Sequence, residues 1–182
     1  MNQNRTYEKK SGRSRTERSV WVARYGMLIA LAFLFSYLEG MFPIYLGVPG
    51  VKLGLANLVT VVGLYTVGIP GTVAVNLVRI VLVGFTFGNM FSMLYSMAGA
   101  ALSLFFMAFC KKNGWFTQVG VSIIGGIGHN IGQLLVASYV VQTAGVFAYF
   151  PVLLIAGTIA GAVIGLLGGM VVSRIGKFVT KI

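Results

Sequence analysis

The run NGWFTQVGVSIIGGIGHNIGQLLVASYVVQTAGVFAYFPVLLIAGTIAGAVIGLLGGMVVS, residues 113–173, decides the fold, because it contains no Lys, Arg, Asp or Glu. As one continuous helix it would measure roughly 90 Å, about three times the ~30 Å hydrocarbon thickness of a bilayer. The chain must therefore turn back, and QTAG at 142–145 is the place where it can. One span is expected over about 116–141 and another over about 147–173. The whole chain agrees: 57% of its residues are hydrophobic and 9% charged, against about a quarter charged in soluble domains. This composition describes an integral membrane protein.

Working back from Lys111, the 58 residues that follow Lys52 are divided by GIPG at 68–71 and FGN at 87–89 into pieces of about 16, 18 and 21 residues. Three spans fit, the first of them short, at about 53–68, 70–88 and 90–110. An odd number also returns Lys111 and Lys112 to the side of the basic amino terminus, as the positive-inside rule asks. A first span over about 20–41, with Arg24 snorkelling to the inner interface and Glu39 near the far end, completes six. An Ala-Leu-Ala at 30–32 resembles a cleavage site, but the apolar run before it is broken by Arg24, so this helix is expected to be retained.

The expected fold is thus an all-α bundle of six transmembrane helices over 20–176, with both termini cytoplasmic. Residues 1–19 read as a disordered basic tail, 177–182 as a short second tail, and MFPIYLGVPGVK, 41–52, as the longest loop, on the outer side. The bacterial cytoplasmic membrane is the expected location.

The net charge of +11 does not indicate nucleic acid, since six of the fourteen basic residues (Arg5, Lys9, Lys10, Arg13, Arg15 and Arg18) lie in the first twenty positions and most others flank apolar runs. They read as anchors to anionic lipid headgroups. A single cysteine, Cys110, excludes an intramolecular disulfide and a multi-cysteine metal site. One histidine and at most one nearby carboxylate make no usual transition-metal shell, so neither metal nor cofactor is expected.

Polar residues at membrane depth are the candidate functional groups, because an ionisable side chain there is costly unless partnered or wet. Arg79 falls near the centre of the third span. With Glu8, Glu17 and Glu39 as the only acids, it either pairs with Glu39 or faces an anionic ligand, backbone carbonyls and the amides of Asn57 and Asn76; a place at the end of a miscounted helix is a third reading. His129 and Gln133 share one face of the fifth span, with Asn130 about 100° away. They either line a site or bond neighbouring helices. The candidate pocket, in the outer half beneath loop 41–52, is Glu39, Lys52, Asn57, Asn76, Arg79, Asn89, His129, Asn130 and Gln133.

The glycines within GGIGHNIGQLL, 125–135, form no phosphate loop: there is no GxxxxGK[ST], and they sit inside an apolar helix. Gly128 and Gly132, and the stripe Gly157, Gly161, Gly165 and Gly169, instead suit close helix packing. Gly26 and Ala30 form a weaker pair. Phe87, Met90, Phe91, Met93, Tyr95 and Met97 crowd the start of the fourth span as core or lipid-facing filling that would also suit a planar or prenylated ligand.

SYLEGMFP, PGVKLGLANLVTVVGLY, RIVLVGFTFGNMFSMLYSMAGA and GGIGHNIGQLLVASY together resemble the bacterial family called heptaprenyl diphosphate synthase component I, or Gx transporter family, over about residues 20–175. More distantly, that family is similar to the substrate-binding S components of energy-coupling factor (ECF) transporters. The first name implies a membrane subunit beside a soluble prenyltransferase. The chain has no aspartate for the aspartate-rich magnesium motif of such synthases, so catalysis is not expected of it. The second implies capture of a small molecule, an outer loop that gates the pocket, and docking through Gly26 and Ala30 on a transmembrane coupling protein; Lys52, Arg79 and His129 against the single carboxylate Glu39 favour a ligand with an anionic or strongly accepting group, such as a vitamin-like acid, a flavin or a quinone head. No Walker motif is present, so ATP hydrolysis would fall to partner ATPases. Uptake by an ECF-type assembly is the expected function; an accessory role in polyprenyl or menaquinone synthesis, or a stand-alone proton-coupled carrier using His129 and Glu39, are its rivals.

Overall fold

A computed structural model describes residues 3–41 and 54–179, and these are almost entirely helical. Six helices follow one another: α1 (Gln3–Met41), α2 (Ala56–Thr66), α3 (Gly68–Thr86), α4 (Met90–Asn113), α5 (Gln118–Val141) and α6 (Phe150–Val179), with a 3₁₀ segment, Ala144–Tyr149, leading into α6. The expected count of six holds. Five helices are long and apolar enough to cross a membrane, whereas α2 has only 11 residues, about 16 Å of rise. The expected sixth full span is therefore a short helix, more so than the 16 residues allowed for it. Helix α1 begins at Gln3, inside the segment read as a tail, although its membrane-length part is Arg18–Met41. Most of loop 41–52 lies outside the described residues.

Local chemistry explains the boundaries. GIPG marks the break between α2 and α3 as expected, and its residues belong to α3: Pro70 lies in the first turn, where its missing N–H leaves no bond unmade. Gly68, at φ 79°, makes the tight turn between α2 and α3. Asn89 caps α4 by accepting from Ser92 N at 2.8 Å, and Gly114 ends it in the left-handed conformation at φ 67°. Thr117 opens α5, and QTAG ends it: Gln142 takes φ 55°, and Thr143 accepts from Gly145 N at 3.2 Å.

The bundle is organised inside out. Large apolar side chains cover its surface, among them Phe85, Met90, Phe105, Tyr139 and Ile159, while Asn57, Thr60, Asn76, Arg79, His129, Asn130 and Gln133 are buried. In water this would expose apolar surface far beyond what monomers tolerate; in a bilayer it is the favourable arrangement. Helices α2 and α3 form an antiparallel hairpin, joined at mid-height by Thr60 Oγ1 donating to Asn76 Oδ1 at 3.1 Å. Helix α5 is the central element, with antiparallel α4 on one side and antiparallel α6 on the other.

Glycines set those two spacings. A Cβ at Gly132 would come within 2.7 Å of the Ala98 carbonyl carbon and 2.9 Å of Gly99 Cα; one at Gly128 would meet Phe106 and the Leu102 carbonyl. On the other face, Gly126 packs on Gly157, while a Cβ at Gly161 or Gly165 would come within 2.6 Å of Ile123 Cα or 2.8 Å of Val119 Cα. Gly169 faces Gln118 at ordinary contact distance. Gly26 differs: nothing lies within 4 Å of its added Cβ, and it and Ala30 are exposed.

The described basic side chains other than Arg79 (Arg18, Arg24, Lys111, Lys112 and Arg174) gather at one end of the bundle. Lys111 Nζ donates to Leu64 O at 2.5 Å and sits 4.6 Å over the Tyr65 ring, tying the end of α4 to the end of α2. The Tyr25 hydroxyl lies against Gly71 at the same level. Trp21 stacks on Tyr25 and Trp115 lies edge-on to Phe109 there, the usual place for aromatic residues at a membrane interface.

Candidate functional site

The polar residues form two centres. The first lies between α2, α4, α5 and α6, where Asn57, Ser103, Ser122, His129 and Asn130 surround a cavity closed by Val61, Met107, Ile164 and the glycines at 125, 126, 157 and 161. Each side chain arrives from a different constraint. Asn57 stands on the first turn of α2, just after the bend at Gly54, whose carbonyl accepts from Asn57 N at 2.7 Å. The His129 imidazole lies over Gly99, where any Cβ would come within 2.8 Å of its Nδ1 and Cε1. Asn130 donates from Nδ2 to Leu153 O at 2.7 Å, crossing from α5 to the first turn of α6 through the space left by Gly157. Ser103 Oγ lies 3.4 Å from Met107 Sδ.

The cavity is about 10 Å³, enough for roughly one water molecule and no more. Its described lining offers amide, hydroxyl and imidazole groups and no carboxylate, Lys or Arg. Such a surface recognises amide, carbonyl or hydroxyl groups. Three of the four walls are fixed by the glycine contacts of α4, α5 and α6. The fourth, α2, is the short helix.

The second centre clamps α1 to α3. Arg79, 6% exposed, donates from Nη1 to Ser36 Oγ at 3.2 Å, while the Ser36 hydroxyl donates to Ala32 O at 2.9 Å. Glu39 is the carboxylate whose charge acts on the guanidinium, and it accepts from Gly54 N. The Arg79 Nε and Nη2 groups make no hydrogen bond among the described residues.

Of the nine candidate residues, the structure brings Asn57, His129 and Asn130 together at the cavity and Arg79 and Glu39 together at the clamp. Asn76 bridges to Thr60 and lies between them. Gln133 is fully buried one turn beyond His129, outside the cavity lining, and its Oε1 has no hydrogen-bond partner among the described residues. Asn89 is exposed and serves as a helix cap. Lys52 lies outside the described residues. Among those described, no group of three or more His, Cys, Asp or Glu could hold a metal ion.

Sequence reasoning missed Ser36, Ser103 and Ser122. Their signal was a lone hydroxyl in an apolar helix, which is too common to single out. Gly99 could have been found, since SMAGAALS, 96–103, is a small-residue patch spaced to face GGIGHNIG.

A family model described as heptaprenyl diphosphate synthase component I matches residues 28–171, and the chain belongs to that family. It is a multi-pass membrane protein. No curated protein and no solved structure matched it.

Proposed function

With that membership as the premise, we propose that the chain is a non-catalytic membrane component that binds a small molecule for uptake, as an S component does, with a coupling protein and ATPases supplying the energy. The observation that carries this reading is the closed polar cavity. Polar side chains clustered inside an apolar bundle mark a binding site at membrane depth by default. The cavity's amide, hydroxyl and imidazole lining fits a carbonyl-rich ring, such as a flavin or quinone head.

At about 10 Å³ the cavity admits such a ring only if one wall moves. Helix α2 is the wall that would move. At 11 residues against 19 for α3, 24 for α4 and α5 and 30 for α6, it is far shorter than its neighbours, it follows the loop expected to lie over the site, and it contributes Asn57 and Val61. Opening would carry Asn57 away from His129, so binding and closure are one event. The basic end of the bundle then faces the cytoplasm, by the positive-inside rule, and the loop faces out. Gly26 and Ala30, exposed on α1, provide the flat surface that a coupling protein's helix could approach.

The family name favours a second reading, a non-catalytic partner of a soluble prenyltransferase in polyprenyl diphosphate synthesis. Reconstitution in vesicles separates the two. Uptake of a co-purified compound, identified by mass spectrometry, that depends on added ATPase partners supports the first. Tight association with a prenyltransferase, without uptake, supports the second, and uptake driven by a proton gradient alone would refute both. Within the first reading, His129→Ala and Asn57→Ala weaken ligand binding at least tenfold in protein that still inserts. Full affinity in both would place the ligand elsewhere.

A further inference from the structure

A second concavity, separate from the polar cavity, opens sideways between α1 and the last turns of α6, with α2 as its floor. Its volume is about 610 Å³ and its walls are almost wholly apolar, with Leu31 and Phe35 on α1, Val59 and Val62 on α2 and Val172 on α6. One end carries Arg24, the one charged residue among the described lining residues, beside Tyr65 and Thr66. Lys111, over the Tyr65 ring at 4.6 Å, adds a second cation next to that mouth. The one carboxylate among the described side chains, Glu39, belongs to the opposite end of α1.

The dimensions indicate what fits. From Arg24 to Phe35 along α1 is eleven residues, about 16 Å, which matches one leaflet, half of the ~30 Å hydrocarbon core. A partner's transmembrane helix would need twice that length, and a polar metabolite would find no hydrogen-bonding groups along the walls. We infer that the groove holds a single bilayer phospholipid with an anionic headgroup, its acyl chain along α2 between α1 and α6 and its phosphate at Arg24. Charge complementarity selects the head, and the length of the groove selects a chain confined to one leaflet.

The inference is tested by incorporating the protein into vesicles of equal phosphatidylglycerol and phosphatidylcholine, extracting it in mild detergent and counting retained lipids by native mass spectrometry. Phosphatidylglycerol should be retained roughly fivefold over phosphatidylcholine, the ratio that about 1 kcal/mol of headgroup attraction gives. Arg24→Gln should abolish that preference, whereas Arg18→Gln, a change at another exposed basic residue, should leave it unaltered. Leu31→Trp, which fills the groove from an exposed position on α1, should cut lipid retention at least fivefold, and Leu34→Trp, on the same helix but outside the groove, should not. Equal retention of both lipids, a preference that survives Arg24→Gln, loss of retention in both tryptophan variants, or a protein dimer with no bound lipid would each overturn the assignment.

Discussion

Gly132→Ala isolates the packing that fixes the α4–α5 spacing. The added methyl would lie 2.7 Å from the Ala98 carbonyl carbon and 2.9 Å from Gly99 Cα, against an ordinary carbon separation of about 3.5–4.0 Å. Both obstacles are backbone, so no side chain can swing away, and α4 must retreat by about 1 Å. Such a gap forfeits a quarter to a half of each contact across it. For a patch comparable to one buried leucine, 40–60 contacts of 0.1–0.2 kcal/mol each, the loss is about 2–4 kcal/mol. The higher helix propensity of alanine returns about 1 kcal/mol. A net destabilisation of about 1–3 kcal/mol remains, or roughly 2–12 °C in Tm at about 2–4 °C per kcal/mol for a chain of this size. The assay is built into the molecule: Cys110 is the only cysteine, and it is buried, so a thiol-reactive fluorophore reports unfolding in detergent. Gly26→Ala, with nothing within 4 Å of the new methyl, is the matched control and should hold or raise the midpoint. Equal midpoints for Gly132→Ala and Gly26→Ala would refute the argument that glycine backbone contact sets the helix spacing.

Three further substitutions read other parts of the fold by the same assay. Asn130→Ala removes the 2.7 Å bond to Leu153 O and should cost about 1 kcal/mol; Asn130→Asp should cost more, because it sets an acceptor against an acceptor. Gly114→Ala should cost about 1 kcal/mol through φ 67° alone, since no atom lies within 4 Å of the added Cβ, and Gly114→Asn should cost less. Lys111→Met should lower the midpoint by about 2–4 °C by releasing Leu64 O and the Tyr65 ring; an unchanged midpoint would mean that these contacts add nothing to the closure of α2 on α4.

Helix number and most boundaries were legible in the sequence because they depend on quantities that accumulate along the chain: apolar length, charge-free length and turn residues. Six helices could be placed between Arg18 and Arg174 from these alone. The exceptions have local causes. GIPG does mark the break between α2 and α3, but α2 ends at Thr66 and Pro70 falls in the first turn of α3, which begins at Gly68. Asn89 looked like a pocket residue because it was polar and near a membrane end, yet a helix start needs such a side chain as its cap. Burial was also legible, and Arg79, His129 and Gln133 are buried. Direction around the bundle was not. Arg79 turns to Ser36 on α1 and His129 to the cavity beside Gly99, so one expected polar layer is two. Which helix a side chain faces depends on the order of packing, and that order was set by glycines whose partners, such as Ala98 and Gly157, lie 30 or more residues away.

The two centres differ in what their polar atoms accomplish. An arginine at membrane depth costs about 2.5–3.5 kcal/mol on insertion scales, and a buried pair rarely returns more than its desolvation. Among the described residues, Arg79 bonds to Ser36 through one nitrogen, while its Nε and Nη2 have no hydrogen-bond partner. Its geometry does something apolar packing cannot. Helix α1 meets the rest of the bundle chiefly through apolar side chains, which allow it to slide or rotate at little cost, and Arg79 to Ser36 together with Glu39 to Gly54 admit a single register. The clamp thus ties α1 to α3 and to the chain at Gly54, three residues before Asn57, through an arginine that does not line the cavity.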